Sequence, residues 1–206
     1  MALPQNRKLL SHDRIVEVAA RAIRRAGHDG VSVGAVMHEA GLTHGGFYAH
    51  FESRDALLVA ALERAGRDSA AVLCAAIASK RAKGASPVRA LVETYLADKH
   101  LAAVETGCPI AALGSEIPRQ TQGVNDAARG RVLGLVQVVR QLLPQGAEAG
   151  DAYALAGAMV GALQLARALG GKDGLQVLEG ARRALIDRFD PDGQRAVGTG
   201  ESVQRH

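Results

Sequence analysis

The residues best suited to do chemistry lie between Ser32 and Arg54. Ser32, Thr43, His44, Tyr48, His50 and Arg54 are hydrogen-bond donors or cations, and Gly45 and Gly46 stand among them. Such a set donates hydrogen bonds and positive charge to an extended anion, with two bare backbone positions where that anion comes close. The stretch Gly41–Phe51 also holds three of the chain's six aromatic residues and two of its seven histidines. Phe47 and Phe51, four apart, are expected to pack inward against Val36 and Met37. His44 and Tyr48, also four apart, then share an outer face.

These side chains need a scaffold, and the flanking pattern supplies one. A first helix is expected over about 11–26, with Ile15, Val18, Ala19, Ala22, Ile23 and Ala26 as an apolar stripe and Arg14, Arg21, Arg24 and Arg25 off it. Gly27 ends it, and Ser32 caps a second helix in which Val33, Val36, Met37 and Ala40 face inward. Gly41 suits a tight turn, Thr43 caps a third helix from His44 to about Phe51, and Ser53 caps a long fourth one reaching about Lys83. Helix, glycine turn and short capped helix form a helix-turn-helix pattern, with duplex DNA as the expected partner. Gly45 and Gly46 then thin the amino end of the groove-entering helix. Thr43 and the free amides of the first turn form a phosphate site, Tyr48, His50 and Arg54 reach the backbone, and His44 is a further contact. A histidine contact made as a cation would strengthen binding as pH falls.

Beyond this head, Ser86-Pro87 and Cys108-Pro109 read as stop-start points. Helices are expected over about 86–105, from Pro109 to before Pro118, and over about 120–143, 151–169 and 173–189, followed by a solvated tail, 191–206. Apolar residues recur at three and four and alternating β-branched runs are short, so the chain reads as all-α. Its 25 basic and 21 acidic residues leave +4, which permits nucleic-acid binding without arguing for it. No apolar run of signal-peptide length opens the chain. The run Ala152–Leu163 is short of the roughly 20 residues a span needs, so a buried helix and a soluble cytoplasmic protein without a membrane partner are expected. Two cysteines make neither a disulfide framework nor a four-ligand zinc site; no metal and no cofactor are expected.

Ala40-Gly41-Leu42-Thr43, Phe47-Tyr48-Ala49-His50-Phe51 and Ser53-Arg54-Asp55-Ala56-Leu57 together resemble the DNA-binding domain of the tetracycline-repressor (TetR) family of bacterial regulators. The resemblance covers about residues 9–69, with the helix-turn-helix at 32–51. It implies a nine-helix fold, with 70–190 as a ligand-binding and dimerisation body, a homodimer through the eighth and ninth helices and a pseudo-palindromic operator. It also implies a small-molecule effector, of unknown identity, that weakens DNA binding. Met37 stands where the family usually has alanine, and His44 where it is variable, so the operator sequence does not carry over.

In the body, small residues crowd the last two helices, among them Ala154, Gly157, Ala158, Gly161, Gly180 and Ala184, as a close helix-pair interface or a tight core would need. Cys108 opens a helix after Gly107, where peptide dipoles favour a thiolate, with Lys99 and His100 expected nearby. By resemblance it is a candidate electrophile or redox sensor; the bland alternative is a small buried residue. Cys74 is expected in the core. Tyr95, His100 and Gln164 are the expected pocket residues, and the scarcity of aromatics favours an aliphatic or small reactive effector. Three functions compete: a ligand- or redox-responsive repressor, an activator of the same fold, and an enzyme using Cys108 with His100 as base.

Overall fold

Ile15, Val18, Ala19, Ala22 and Ile23 are all buried, so the apolar stripe of the first helix lies against the elements that follow. The computed structural model describes residues 4–190, among which every regular element is helical. These are α1 (Pro4–Ala26), α2 (Val33–Glu39), α3 (Arg54–Ala82), α4 (Pro87–Tyr95), α5 (Asp98–Ala102), α6 (Pro109–Leu113), α7 (Gln122–Leu142), α8 (Asp151–Leu169) and α9 (Gly171–Phe189). Two 3-10 segments, His44–Ala49 and Ile117–Arg119, interrupt the series. The expected tail, 191–206, lies outside the described residues. The chain divides into two units: everything up to Ala70 with Ala103–Leu133, and Ala71–Ala102 with everything from Gly134 on.

In the first unit α1 starts earlier than expected, at Pro4 rather than near Ser11. Pro4 is compatible with a first helical turn and the following residues are good helix formers. Ser32 and Ser53 act as caps: their hydroxyls accept the amides of Ala35 at 3.0 Å and Ala56 at 3.1 Å. Gly41 takes φ of +71° and turns the chain out of α2. The core joins Val36, Met37, Phe47 and Phe51 to Leu57, Leu58, Ala61 and Leu62 of α3, and extends to Leu113 of α6 and to Val124 and Ala128 of α7. The head therefore does not close its core alone, as its small size would make difficult.

Two residues of α1 depart from the expected stripe. Ala26 is exposed, while Arg24, expected off the stripe, is buried. Its Nη1 donates to the carbonyls of Ala65 at 3.4 Å and Gly107 at 3.3 Å. Burial lowers its pKa, against the opposing fields of Asp68, Cys108 and Glu105. An arginine reaches such carbonyls by burying its stem and ending in donors, which a helical-wheel count cannot anticipate.

In the second unit α8 packs along α9, α4 against α9 and α5 against α8. The single helix expected over 86–105 breaks into α4 and α5. Arg182 Nη1 donates to the Leu96 carbonyl at 2.9 Å and the His100 ring to the Tyr95 carbonyl at 2.6 Å, which satisfies the backbone groups freed at the break. Ser86 caps α4, accepting the Arg89 amide at 3.2 Å, with Pro87 in its first turn. Helix α8 spans Asp151–Leu169 as expected, but it is buried along one face only. It is long and apolar enough to cross a membrane by length and composition. One face, with Leu155, Met159 and Leu163, is buried; the other exposes Tyr153, Ala154, Gly157, Ala158, Leu165 and Leu169.

Candidate nucleic-acid interface

The segment 44–49 is a 3-10 helix, not the expected α-helix to Phe51. Gly45 and Gly46 explain this, since two glycines weaken a helix already too short to gain from cooperativity. Thr43 stands at the capping position, but its side chain makes no cap hydrogen bond; the turn closes instead through the Gly46 amide to the Thr43 carbonyl at 3.0 Å. With three residues per turn, His44 and Tyr48 do not stack in one row as an α-helix would place them, although both are exposed.

What holds the segment is aromatic packing. The Phe47 and Phe51 rings are buried and stacked with centroids 5.6 Å apart. Tyr48 stands edge-on to Phe47 at 5.2 Å and is 73% exposed. Thr43, His44, Gly45 and Ser32 are exposed, with Gly46 and His50 half-buried. A Cβ added at Gly46 would rest 3.7 Å from both Met37 Cε and Thr43 Oγ1, so Met37 is seated over this glycine without crowding. A Cβ at Gly45 would meet nothing within 4 Å. No neighbour inside the protein requires a glycine there.

Arg54 is placed differently from expectation. Its Nε donates to the Val31 carbonyl at 3.2 Å and its Nη2 to the His28 carbonyl. The guanidinium therefore ties down the loop between α1 and α2 through two of its donors. That loop is gripped from its other side by Glu116, whose Oε2 accepts the His28 amide at 2.8 Å and the His28 ring Nδ1 at 3.0 Å. Neither Glu116 nor the fully buried His28 was a sequence candidate; 88 positions separate them, and no local pattern marks such a pair.

His50 lies beside His12 of α1, with ring centroids 6.3 Å apart, and His12 stacks on Phe51 at 4.8 Å. Burial, His12 and Lys8 lower the pKa of His50 below its ordinary value. The placement of half-buried His12 and exposed Lys8 so close to the turn is likewise unmarked in the periodicity.

The expected effector residues divide. Tyr95 and His100 come together in the second unit, edge-to-face at 4.8 Å. Arg167, which sequence reasoning missed, donates from Nη2 to the His100 carbonyl at 3.1 Å. Gln164 stands one turn before it on α8, half-buried. Burial lowers the His100 pKa, with Arg167 acting the same way against the Tyr95 hydrogen bond. Cys108 belongs to the first unit, while Lys99 and His100 belong to the second. It is buried at the start of α6, and it shares a field with Arg24 of α1. Cys74, expected in the core, is exposed.

The described elements are all helical, and the head presents an exposed, glycine-thinned turn over an aromatic anchor, the arrangement of a helix-turn-helix. Residues 15–61 match the family model described as bacterial regulatory proteins, tetR family, which makes the head a TetR-type DNA-binding domain. The whole fold agrees. A TetR transcriptional regulator from Chloroflexus aurantiacus J-10-FL is 22% identical with a TM-score of 0.74, covering 89% of this chain and 98% of that one. Escherichia coli NemR in its reduced form is 18% identical with a TM-score of 0.71, covering 87% and 96%. The regulatory protein TetR from Rhodobacter sphaeroides is 21% identical with a TM-score of 0.70, covering 87% and 99%. No curated protein matches the chain in sequence. Proteins of this family are regulators of transcription and not enzymes.

Proposed function

We propose that the protein is a repressor that binds a pseudo-palindromic operator as a homodimer and is released by a small-molecule or electrophilic effector. The observation that carries the DNA side is Gly45, exposed beside Tyr48 with open space where a side chain would stand. A bare backbone there lets the turn approach base edges and phosphates in a groove about 12 Å wide. Thr43, His44, Tyr48 and His50 supply contacts around it; Ser32 and Arg54 position the helix and loop that carry them. Residues 9–69 serve as the DNA-binding domain and 70–190 as the ligand-binding and dimerisation domain.

The exposed small and apolar face of α8, continued by Gly180 and Ala184 on α9, is the face on which a second copy would dock. Glycine and alanine let helix backbones approach closely, and Tyr153, Leu165 and Leu169 supply apolar area. A soluble, cytoplasmic homodimer with this face covered follows. Two such heads would engage major-groove half-sites about 34–36 Å apart or a multiple of that spacing. Tyr95, His100 and Gln164, joined by Arg167, are the proposed effector contacts, and Cys108 the proposed reactive thiol. Effector binding would shift the population of dimers away from the DNA-competent spacing.

The test is a titration of the purified protein with the duplex upstream of its own coding sequence. Specific retardation that falls steeply with salt supports the reading; no preference over unrelated duplex at any salt would refute it.

A further inference from the structure

The amino end of α1 and the end of the 44–49 turn enclose a cleft of about 350 Å³ lined by Lys8, Leu9, His12, Ala49 and His50. Three groups able to carry positive charge converge on it from two elements. His12 is fixed by its stack on Phe51, and its Nδ1 lies 3.9 Å from the Asp13 carboxylate. His50 is half-buried, and its Nδ1 is shielded from solvent without a protein hydrogen-bond partner. Lys8 is exposed at the rim. Core packing accounts for the His12 stack on Phe51 but not for a second imidazole 6.3 Å from it, and the exposed Tyr48 is adjacent in sequence to the lining.

We propose that Lys8, His12 and His50 form a proton-linked seat for a DNA phosphodiester, so that binding duplex takes up a proton at the histidine pair. The proposal rests on the DNA-binding reading above and adds to it a second contact element, α1, and a pH dependence. With the seat empty, burial, His12 and Lys8 all disfavour charge on His50. A phosphate in the cleft reverses that balance, because an anion favours imidazolium. The charged or titratable groups bearing on the pair are Lys8 and Asp13 from α1; Tyr48 and Glu52 are each two residues from His50 in sequence. Asp13 is largely exposed, so water screens it more than a phosphate held within the cleft.

Phosphate contacts carry no sequence code, so a mixed-sequence duplex is a sufficient probe. Fluorescence anisotropy at low ionic strength is expected to show affinity rising about three- to tenfold from about pH 8 to about pH 6. His12→Gln and His50→Gln should flatten that rise, Lys8→Gln should reduce the salt slope by about one, and His44→Gln should leave the pH dependence in place. His12→Phe keeps the stack on Phe51 while removing the titrating ring, so a flat profile there separates lost charge from lost packing. If the parent binds duplex but His12→Phe and His50→Gln keep the full pH response, the seat is refuted while the DNA-binding reading stands. If the parent binds no duplex at low salt, that broader reading fails first. Histidine-ring NMR distinguishes the source of the phosphate. Shifts of His12 and His50 produced by duplex but not by inorganic phosphate at equal ionic strength support the proposal. Equal shifts with inorganic phosphate would overturn it in favour of a free-anion site.

Discussion

The Glu116 carboxylate accepts two hydrogen bonds from one residue, His28, through its backbone amide and its ring. Burial works to raise the Glu116 pKa, but the two His28 hydrogen bonds together with the fields of His28 and Arg119 hold the group below its ordinary value. The same carboxylate presses on Gly27, where a Cβ would lie 2.5 Å from Oε1 and φ is +75°. With Arg54 bonded to the His28 and Val31 carbonyls, the loop that enters the helix-turn-helix is held at both its donors and its acceptors.

Glu116→Gln should therefore destabilise the protein by about 1–3 kcal/mol, the cost of leaving a buried donor poorly satisfied. The sign of the pH effect follows from the lowered pKa. The contribution is present above the unfolded pKa of about 4.3 and is lost as pH falls through the lower folded value. Chemical denaturation across acid pH should show a steep fall in the parent that is shallower in Glu116→Gln. Identical acid limbs would count against the assignment.

Gly27→Ala should be worse than either of its causes alone. The left-handed backbone costs about 1–2 kcal/mol for a residue with a Cβ, and the contact with Glu116 adds to it. Combining Gly27→Ala with Glu116→Ala should remove the clash and leave the backbone strain, so the two changes should be non-additive in thermal melts.

Gly45→Ala separates folding from binding. The added methyl meets nothing inside the protein, and alanine is the better helix former by roughly 1 kcal/mol. Stability should stay level or rise while duplex affinity falls. A substitution that leaves affinity intact would place the groove contact elsewhere on the head.

Tyr48→Phe and Arg54→Ala should fail in opposite ways. Removing one hydroxyl from an exposed ring should weaken operator affinity by about 1 kcal/mol, roughly fivefold, with no change in melting temperature and no change in preferred sequence. Arg54→Ala frees two loop carbonyls and should lower the melting temperature first. Matched melts and binding curves on the two variants decide the point.

Leu165→Glu tests the proposed dimer face. Leu165 is exposed in the single chain, so the substitution should leave helicity unchanged while sedimentation shifts to monomer. A dimer that survives it would move the interface off α8.

Much of the head was legible because its signals are local. Ser32, Ser53 and Ser86 act within three residues of themselves, Gly41 answers to the dihedral angles of one turn, and Phe47 and Phe51 meet because they are neighbours along a single segment. The all-α class follows from the same short-range periodicity. What periodicity could not reach were the destinations of long or buried polar side chains. The periodicity puts Arg24 on the surface, yet it ends on carbonyls of Ala65 and Gly107. No local pattern ties Arg54 to the carbonyls of His28 and Val31. Cys74 is exposed, because an alanine-rich helix offers apolar residues on every side and no stripe to choose between them.

The order of residues along the chain was enough to define helices, caps, turns and the family of the head, since each depends on interactions spanning a few positions. Only the tertiary structure decided which distant groups meet: His28 with Glu116, Arg24 with the Gly107 carbonyl, His12 with His50. Those pairings depend on how helices pack, and packing is set by the shape of many side chains together, which no single stretch of sequence contains.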